Sequence, residues 1–217
     1  MINVRRLLPA DPWNQGVLVV FIALWAVSCV DVPYPKYFWL QHVPTVAVVL
    51  VLAAWQDRLA ISRLSYTLIV AFMALHLLGA RYLYSYVPYD DWSEPLAGFS
   101  ITDQFGFQRN HYDRLVHFFY GALLVIPAWR FLRRFAGKSA AWSALFAFSI
   151  IMASSAAYEV FEWLVAVTLA PDWAESYNGQ QGDPWDSQCD MALAAAGAVL
   201  ALGIAATWHH QNAVSKR

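Results

Sequence analysis

Three pairs of ionisable residues stand out in a chain that is otherwise poor in charge. Asp113 and His117 are four residues apart, Glu159 and Glu162 three apart, and Asp186 and Asp190 four apart. On a helix, residues at these spacings share one face. Each pair would therefore present two polar groups to the same side. An imidazole and several carboxylates on facing helices are the groups from which helical bundles build metal centres. Oxygen and imidazole ligands suit Zn, Mn or Fe better than a soft metal. The candidate ligands are Asp113, His117, Glu159, Glu162, Asp186 and Asp190. His117, Glu159 and Asp190 are also the candidates for acid–base catalysis. Arg81 and Arg114 are the candidate substrate contacts, as guanidiniums able to hold an anion. The chain has no HExxH, GxSxG, P-loop or CxxC motif, so no standard signature names a reaction.

The elements that must carry these residues read as membrane spans. The chain has 217 residues, 59% of them hydrophobic and 13% charged, with mean hydropathy +0.42. An ordinary soluble domain is about 25% charged. Long apolar runs at this composition imply an all-α, polytopic bundle of about six transmembrane helices in one domain, residues 1–217. The 11 Trp and 11 Tyr fit rings anchored at headgroup level. A net charge of −1 argues against a nucleic-acid partner. Membrane lipids are the expected surroundings, and the oligomeric state stays open.

In chain order, Asp11-Pro12-Trp13 starts the first span, with Asp as cap and Pro at the first helical position. This span, 14–30, follows basic residues as a signal peptide would, but no convincing small-residue cleavage site follows it. It is expected to be retained. Further spans are expected at 37–55, 64–86, 110–130, 140–169 and from Asp183 or Asp186 to Trp208. The fifth, stopped by Pro171, exceeds the ~20 residues a bilayer needs, so it should tilt or project. Between the third and fourth lies a long loop, 87–109, of the kind that often forms lids or docking segments. Cys29 and Cys189 fall near outer helix ends, where either a disulfide or two small buried residues would fit.

Basic residues set the orientation. With both termini inside, Arg5, Arg6, Arg58, Arg63, Arg130, Arg133, Arg134, Lys138, Lys216 and Arg217 lie inside, 10 of the 14 Lys and Arg. Of the 15 acids, all but Asp11 and Asp57 fall outside or in outer helix ends. From 1.5 Å per residue, His117 and Asp190 lie roughly 10 Å inside their helix starts and Glu159 roughly 16 Å from Pro171. His76 and Arg81 reach a similar depth from the third span. Carboxylates at that depth need a partner or a task. Five acids set against Arg81, Arg114 and His117 imply neutralisation by a cation or by protons.

Plainer roles compete for several of these residues. Asp183-Pro184-Trp185-Asp186 is a good helix cap, and Asp113 with Asn110 would make a capping box. Arg109 suits a loop acid or a lipid phosphate. His76 and His111 suit structural hydrogen bonds, and Gln180 and Gln181 a turn. His117, Asp190, Glu159 and Glu162 fit these roles less well.

The motifs Tyr112-Asp113-Arg114-Leu115-Val116-His117-Phe118, Tyr158-Glu159-Val160-Phe161-Glu162-Trp163 and Gln181-Gly182-Asp183-Pro184-Trp185-Asp186-Ser187-Gln188-Cys189-Asp190-Met191 resemble those of the YjdF-like bacterial inner-membrane proteins. Tyr86-Val87-Pro88-Tyr89-Asp90 extends the likeness. A fainter resemblance, to VanZ-like membrane domains, lies in Asp113-Arg114 with His117, a Glu on the next helix, and an Asp-rich start to the following small-residue helix. The resemblance implies a multi-pass protein of the bacterial inner (cytoplasmic) membrane and implies no reaction. Three readings stay open. The first is a metal-dependent or acid–base enzyme acting on a lipid or lipid-linked molecule. The second is a non-catalytic binding or assembly protein whose acids pair with Arg81 and Arg114. The third, a proton-coupled transporter, is disfavoured by the apolar inner halves of the last three spans.

Overall fold

The computed structural model describes residues 8–59, 61–137, 139–169, 172, 174 and 179–214, with side chains left aside at 54–58 and 209–214. The basic residues expected at 5, 6, 138, 216 and 217, Pro171 and the side chain of Arg58 lie outside the described residues. Nine helices are described: α1 (Pro12–Ser28), α2 (Pro35–Gln41), α3 (Val43–Leu59), α4 (Arg63–Arg81), α5 (Tyr89–Ala97), α6 (Ile101–Phe105), α7 (Tyr112–Phe135), α8 (Ala140–Leu169) and α9 (Asp186–Val214). No strand occurs among the described residues. Five segments are long and apolar enough to span a bilayer: Pro35–Ala53, Arg63–Arg81, Tyr112–Phe135, Ala140–Leu169 and Asp186–Trp208. With the shorter apolar α1 they make the six expected.

Helix α7 is the hub, packed against α4, α8 and α9, while α1 leans on α4 and α9 also packs on α8. Two cores result. Phe21, Leu52, Tyr66, Val70, Met73 and Leu77 join α1, α3 and α4. Val125, Ala147, Ile151, Ala194 and Ala198 join α7, α8 and α9. The outward faces are apolar too: Val19 and Ile22 on α1, Val160 and Trp163 on α8, Leu200 and Ile204 on α9 are all exposed. A face of this kind is stable against lipid, where it would be a liability in water.

Local chemistry explains where the spans start and stop. Asp11 caps α1 by accepting from the Trp13 amide at 2.8 Å, and Pro12 takes the first helical position. The second span, Pro35–Ala53, falls close to the expected 37–55 and carries a one-residue interruption at His42. Pro44 has no N–H with which to continue the ladder, and the chain kinks at His42 between α2 and α3. The third span ends at Arg81 rather than continuing to residue 86. Leu83 and Tyr84 there adopt positive φ, 49° and 55°. Tyr84 folds its ring against Gly79, where a Cβ would collide with it. The Tyr84 hydroxyl thereby reaches Nδ1 of His76.

The segment expected as an open loop is largely ordered. Asp90 ties α5 to α6 by accepting from the Thr102 amide at 2.9 Å and the Ser100 hydroxyl at 3.1 Å. Cys29 and Cys189 are free, so no disulfide joins them, and Cys29 is exposed rather than buried.

Candidate functional site

Connectivity places the site. The start of α7, the end of α8 and the start of α9 meet at one end of the bundle. Asn110 starts α7 by accepting from the Tyr112 amide at 3.0 Å, so Asp113 is not needed as the cap and is buried instead. The turn before α9 is clamped to the same point. Gln181 accepts from the Asn110 amide at 2.9 Å and donates back to the Asn110 carbonyl at 3.0 Å. Gly179 has φ +73° and sits where a Cβ would strike the Asp113 carboxylate. Only glycine combines that backbone with so close an approach.

Asp113, His117 and Asp190 form the heart of the site. Each offers a ligand atom within 4.8 Å of the others, and all three are buried. His117 Nε2 lies 3.6 Å from Asp113 Oδ1 and 3.5 Å from Glu159 Oε1. His117 Nδ1, Glu159 Oε1 and Asp190 Oδ1 are buried without a hydrogen-bond partner. Unsatisfied buried polar atoms cost about 1–3 kcal/mol each, so these three side chains carry a cost that a bound partner could relieve. Zinc–ligand bonds of about 2.0–2.2 Å bring ligand atoms to within roughly 4 Å of one another, so side-chain shifts of about an ångström would close this group on an ion.

The remaining expected residues divide. Glu159 joins the centre through His117, with the Ser187 side chain as a second partner. Glu162 is buried nearby but outside the three-residue ligand group. Asp186, expected as a ligand, is tied to Arg109 in an ion pair whose side chains are 6% and 7% exposed. Arg109 also donates to the Gly179 and Gln180 carbonyls, at 3.1 and 2.6 Å. Arg114 pairs with Asp183 and lies 3.8 Å from Asp186. Asp183 accepts from the Trp185 amide at 2.9 Å, as a cap would. That amide and the Arg114 guanidinium hold the Asp183 carboxyl below its ordinary pKa.

Arg81 requires a correction, because it does not reach the site. Its guanidinium donates to the carbonyls of Ser28, Val30 and Asp31 at the end of α1. It completes the C-terminus of a neighbouring helix, where the dipole and open carbonyls favour a cation. Sequence reading also underrated Arg109. Its adjacency to Asn110 at a helix start was visible, but its buried partner lies 77 residues away. Gly179 was visible only as one of two glycines flanking Gln180-Gln181.

Two cavities lie near the centre, one reached through Glu159 and the other lined by Asp113 and His117. One of about 190 Å³ is polar and opens among Glu159, Glu162, Gln180, Asp183, Asp186 and Ser187. The other, of about 240 Å³, lies inside the bundle and is mostly apolar. Val48, Ile69, Phe72, Met73 and Leu124 line it, and Asp113 and His117 form one wall. His76 and Tyr84 line this second cavity too, so they neighbour the centre without joining it.

These features define a polytopic helical membrane protein with a buried Asp/His/Asp group at one end of its bundle. Residues 14–211 match the family described as "Predicted membrane protein (DUF2238)", and the chain belongs to that family. It is similar to Inner membrane protein YjdF of Escherichia coli (strain K12), 34% identical over 180 residues that cover 81% of each chain. No solved structure matches. The chain is a multi-pass protein of the bacterial inner membrane, in contact with lipid.

Proposed function

We propose that this protein is a membrane-embedded enzyme acting on a lipid or lipid-linked molecule, with a divalent metal held by Asp113, His117 and Asp190. One observation carries the reading. Asp113 and His117 of a buried ligand triad line an apolar cavity, and Glu159, 3.5 Å from His117, lines a polar one. An amphiphile spanning the two cavities would put its polar–apolar junction beside that triad. The fit to Zn, Mn or Fe rests on the donor set of one imidazole and two carboxylates. Such an ion, when bound, polarises an ester or phosphoryl oxygen and acidifies a bound water.

The chain's own residues supply the rest. Asp113 and Asp190 hold the negative charge that would neutralise the cation. His117, between Asp113 and Glu159, orients the group, and Glu159 Oε1 stands ready to take or return a proton at 3.5 Å. Glu162 lines the polar cavity and keeps it attractive to cations. Arg109 and Arg114 hold Asp186 and Asp183 and so fix the turn that places Asp190.

Part of the assembly reading is favoured by one feature: Asp183 and Asp186 pair with arginines, as structural acids do. The proposal therefore assigns those two to architecture and the other four acids and His117 to chemistry. Relay transport has less support, because below the centre the buried stripe among the described residues offers only the Ser155 and Ser143 hydroxyls, and no titratable side chain, beside Gly121, Val125, Ala147, Ile151, Ala194 and Ala198.

Metal analysis of detergent-purified protein tests the centre. Wild type grown with Zn, Mn or Fe should hold about one ion per chain, and Glu159→Ala/Asp190→Ala well under half of that. The chelated protein should gain thermal stability when the ion is returned, as any ligand specific to the folded state requires. No bound ion under any supply would overturn the metal centre.

A further inference from the structure

A cavity larger than the two near the acid–histidine centre lies away from it. It lies at the other end of the bundle, a groove of about 710 Å³ between the start of α4 and the last turns of α7. Thirteen or more residues separate its Arg130, Arg133 and Arg134 from His117. At 1.5 Å per residue that is roughly 20 Å along α7, so the groove is a separate place.

The groove has two kinds of wall. Arg130, Arg133 and Arg134 supply three guanidiniums, and no Asp or Glu is among the described residues that line it. Arg130 is fixed across the groove by donating from Nη1 to the Ser62 hydroxyl at 2.8 Å. Ser62 is also the N-cap of α4, so the positive end of that helix faces the same space. Beside this basic mouth the lining is hydrocarbon, with Ile61, Ile69, Pro127 and Ile150 among it.

We infer that this groove binds one anionic phospholipid. Its headgroup phosphate would sit against Arg130, Arg133 and Arg134, and an acyl chain would lie along the isoleucine wall. Charge complementarity selects this occupant. A zwitterionic lipid would bring an ammonium group to a mouth with no carboxylate among the described residues that line it. A free phosphate would leave the apolar wall uncovered. Arginine is the suitable cation because its planar fork matches phosphate oxygens. Basic residues at a membrane surface attract anionic lipid without selecting one molecule. A shaped groove adds what that attraction lacks, namely one retained molecule and dependence on particular arginines.

Native mass spectrometry of the full-length protein released from mixed detergent–lipid micelles reads this directly. With equal phosphatidylglycerol and phosphatidylethanolamine, wild type should retain one phosphatidylglycerol, favoured at least about tenfold. Arg130→Gln/Arg133→Gln/Arg134→Gln should lower that preference to under about twofold. Lys36→Gln, which removes a charge outside the groove, should leave it unchanged. If the triple variant does not fold, the exposed Arg133→Gln/Arg134→Gln pair is used and should still lower the preference severalfold. Four results would overturn the inference: no headgroup preference in wild type, a preference untouched by the arginine variants, displacement by millimolar inorganic phosphate, or a dimer mass in place of a lipid adduct.

Discussion

The three helices α7, α8 and α9 share one buried stripe, and its two halves are made differently. Down α7 it runs Asp113, His117, Gly121, Val125; down α9, Asp186, Asp190, Ala194, Ala198; both step by four. On α8 Glu162 gives way to Ser155, Ile151 and Ala147. Asp113, Glu162, Asp186 and Asp190 are as deeply buried as Val125 and Ala194, with exposures from 0 to 7%. Burial and helical register are thus the same throughout, and only the chemistry changes. The lower half buries small and apolar side chains at contact distance, as spans packed for stability do. The upper half buries charge at a cost that packing does not repay. In lipid, where apolar alternatives are freely available, buried carboxylates need a partner or a task, and Arg109 supplies the partner for Asp186.

The sharpest break of the lower half is Gly121→Leu. A Cβ at Gly121 would meet the Ala194 backbone carbonyl, and one at Gly197 the Phe118 carbonyl. Backbone cannot move aside as a side chain tip can, so the helices must separate. A loss above about 3 kcal/mol is expected, read as disappearance of the monodisperse peak in size-exclusion chromatography. Gly203→Ala is the control, since its Cβ would meet nothing within 4 Å. It should be neutral or stabilise by up to about 1 kcal/mol through helix propensity. A tolerated Gly121→Leu would mean the lower half is not the close-packed part.

In the upper half, Arg109→Ala should be the most damaging single change, at about 3–5 kcal/mol, because it leaves Asp186 buried and unpaired. It also releases the carbonyls of Gly179 and Gln180. Arg114→Ala should cost under about 1 kcal/mol, since that pair is 20% and 26% exposed and solvent screens it. Adding Asp186→Asn to Arg109→Ala should recover part of the loss. Thermal denaturation in detergent compares the four proteins. Equal costs for the two arginines would erase the distinction between a buried clamp and a partly exposed pair.

How much of this was readable beforehand follows the same division. The eighth helix, Ala140–Leu169, falls where hydropathy put it, because an uninterrupted apolar run has one low-energy form in lipid. Asp113, His117 and Asp190 were legible as neighbours because i, i+4 spacing and equal depth are one-dimensional quantities. Arg81 was misplaced for a physical reason. Depth counting carried its span on to residue 86, whereas the chain turns at Leu83 and Tyr84 with positive φ and no glycine or proline at those positions to announce it. The Arg109–Asp186 pair needs two helix starts brought side by side, which no local pattern encodes. The order of α5 and α6 depends on Asp90 finding Thr102 and Ser100, a turn contact hidden among several equally spaced polar residues.

Acid provides the mildest test, because the loops of the polar half carry carboxylates held below their ordinary pKa outside the spans. For Asp90, partial burial pushes the carboxyl up, but the Thr102 and Ser100 hydrogen bonds outweigh it and hold the pKa below the ordinary value. Asp183 is likewise held low by the Trp185 amide and Arg114. A depressed pKa in the folded state means the unfolded chain takes up protons first as pH falls. These two contributions are therefore complete above the ordinary aspartate value of about 4 and are lost as pH drops below it. Hydrogen exchange should rise in α5, α6 and the 179–185 turn between about pH 4.5 and 3, beyond the intrinsic pH trend, while the segment around Gly121 to Val125 stays protected. Asp90→Asn should reduce the acid-dependent part in α5 and α6 only, at a cost of about 1 kcal/mol at neutral pH. Simultaneous loss of protection at Gly121 would mean that the two halves of the stripe open as one unit.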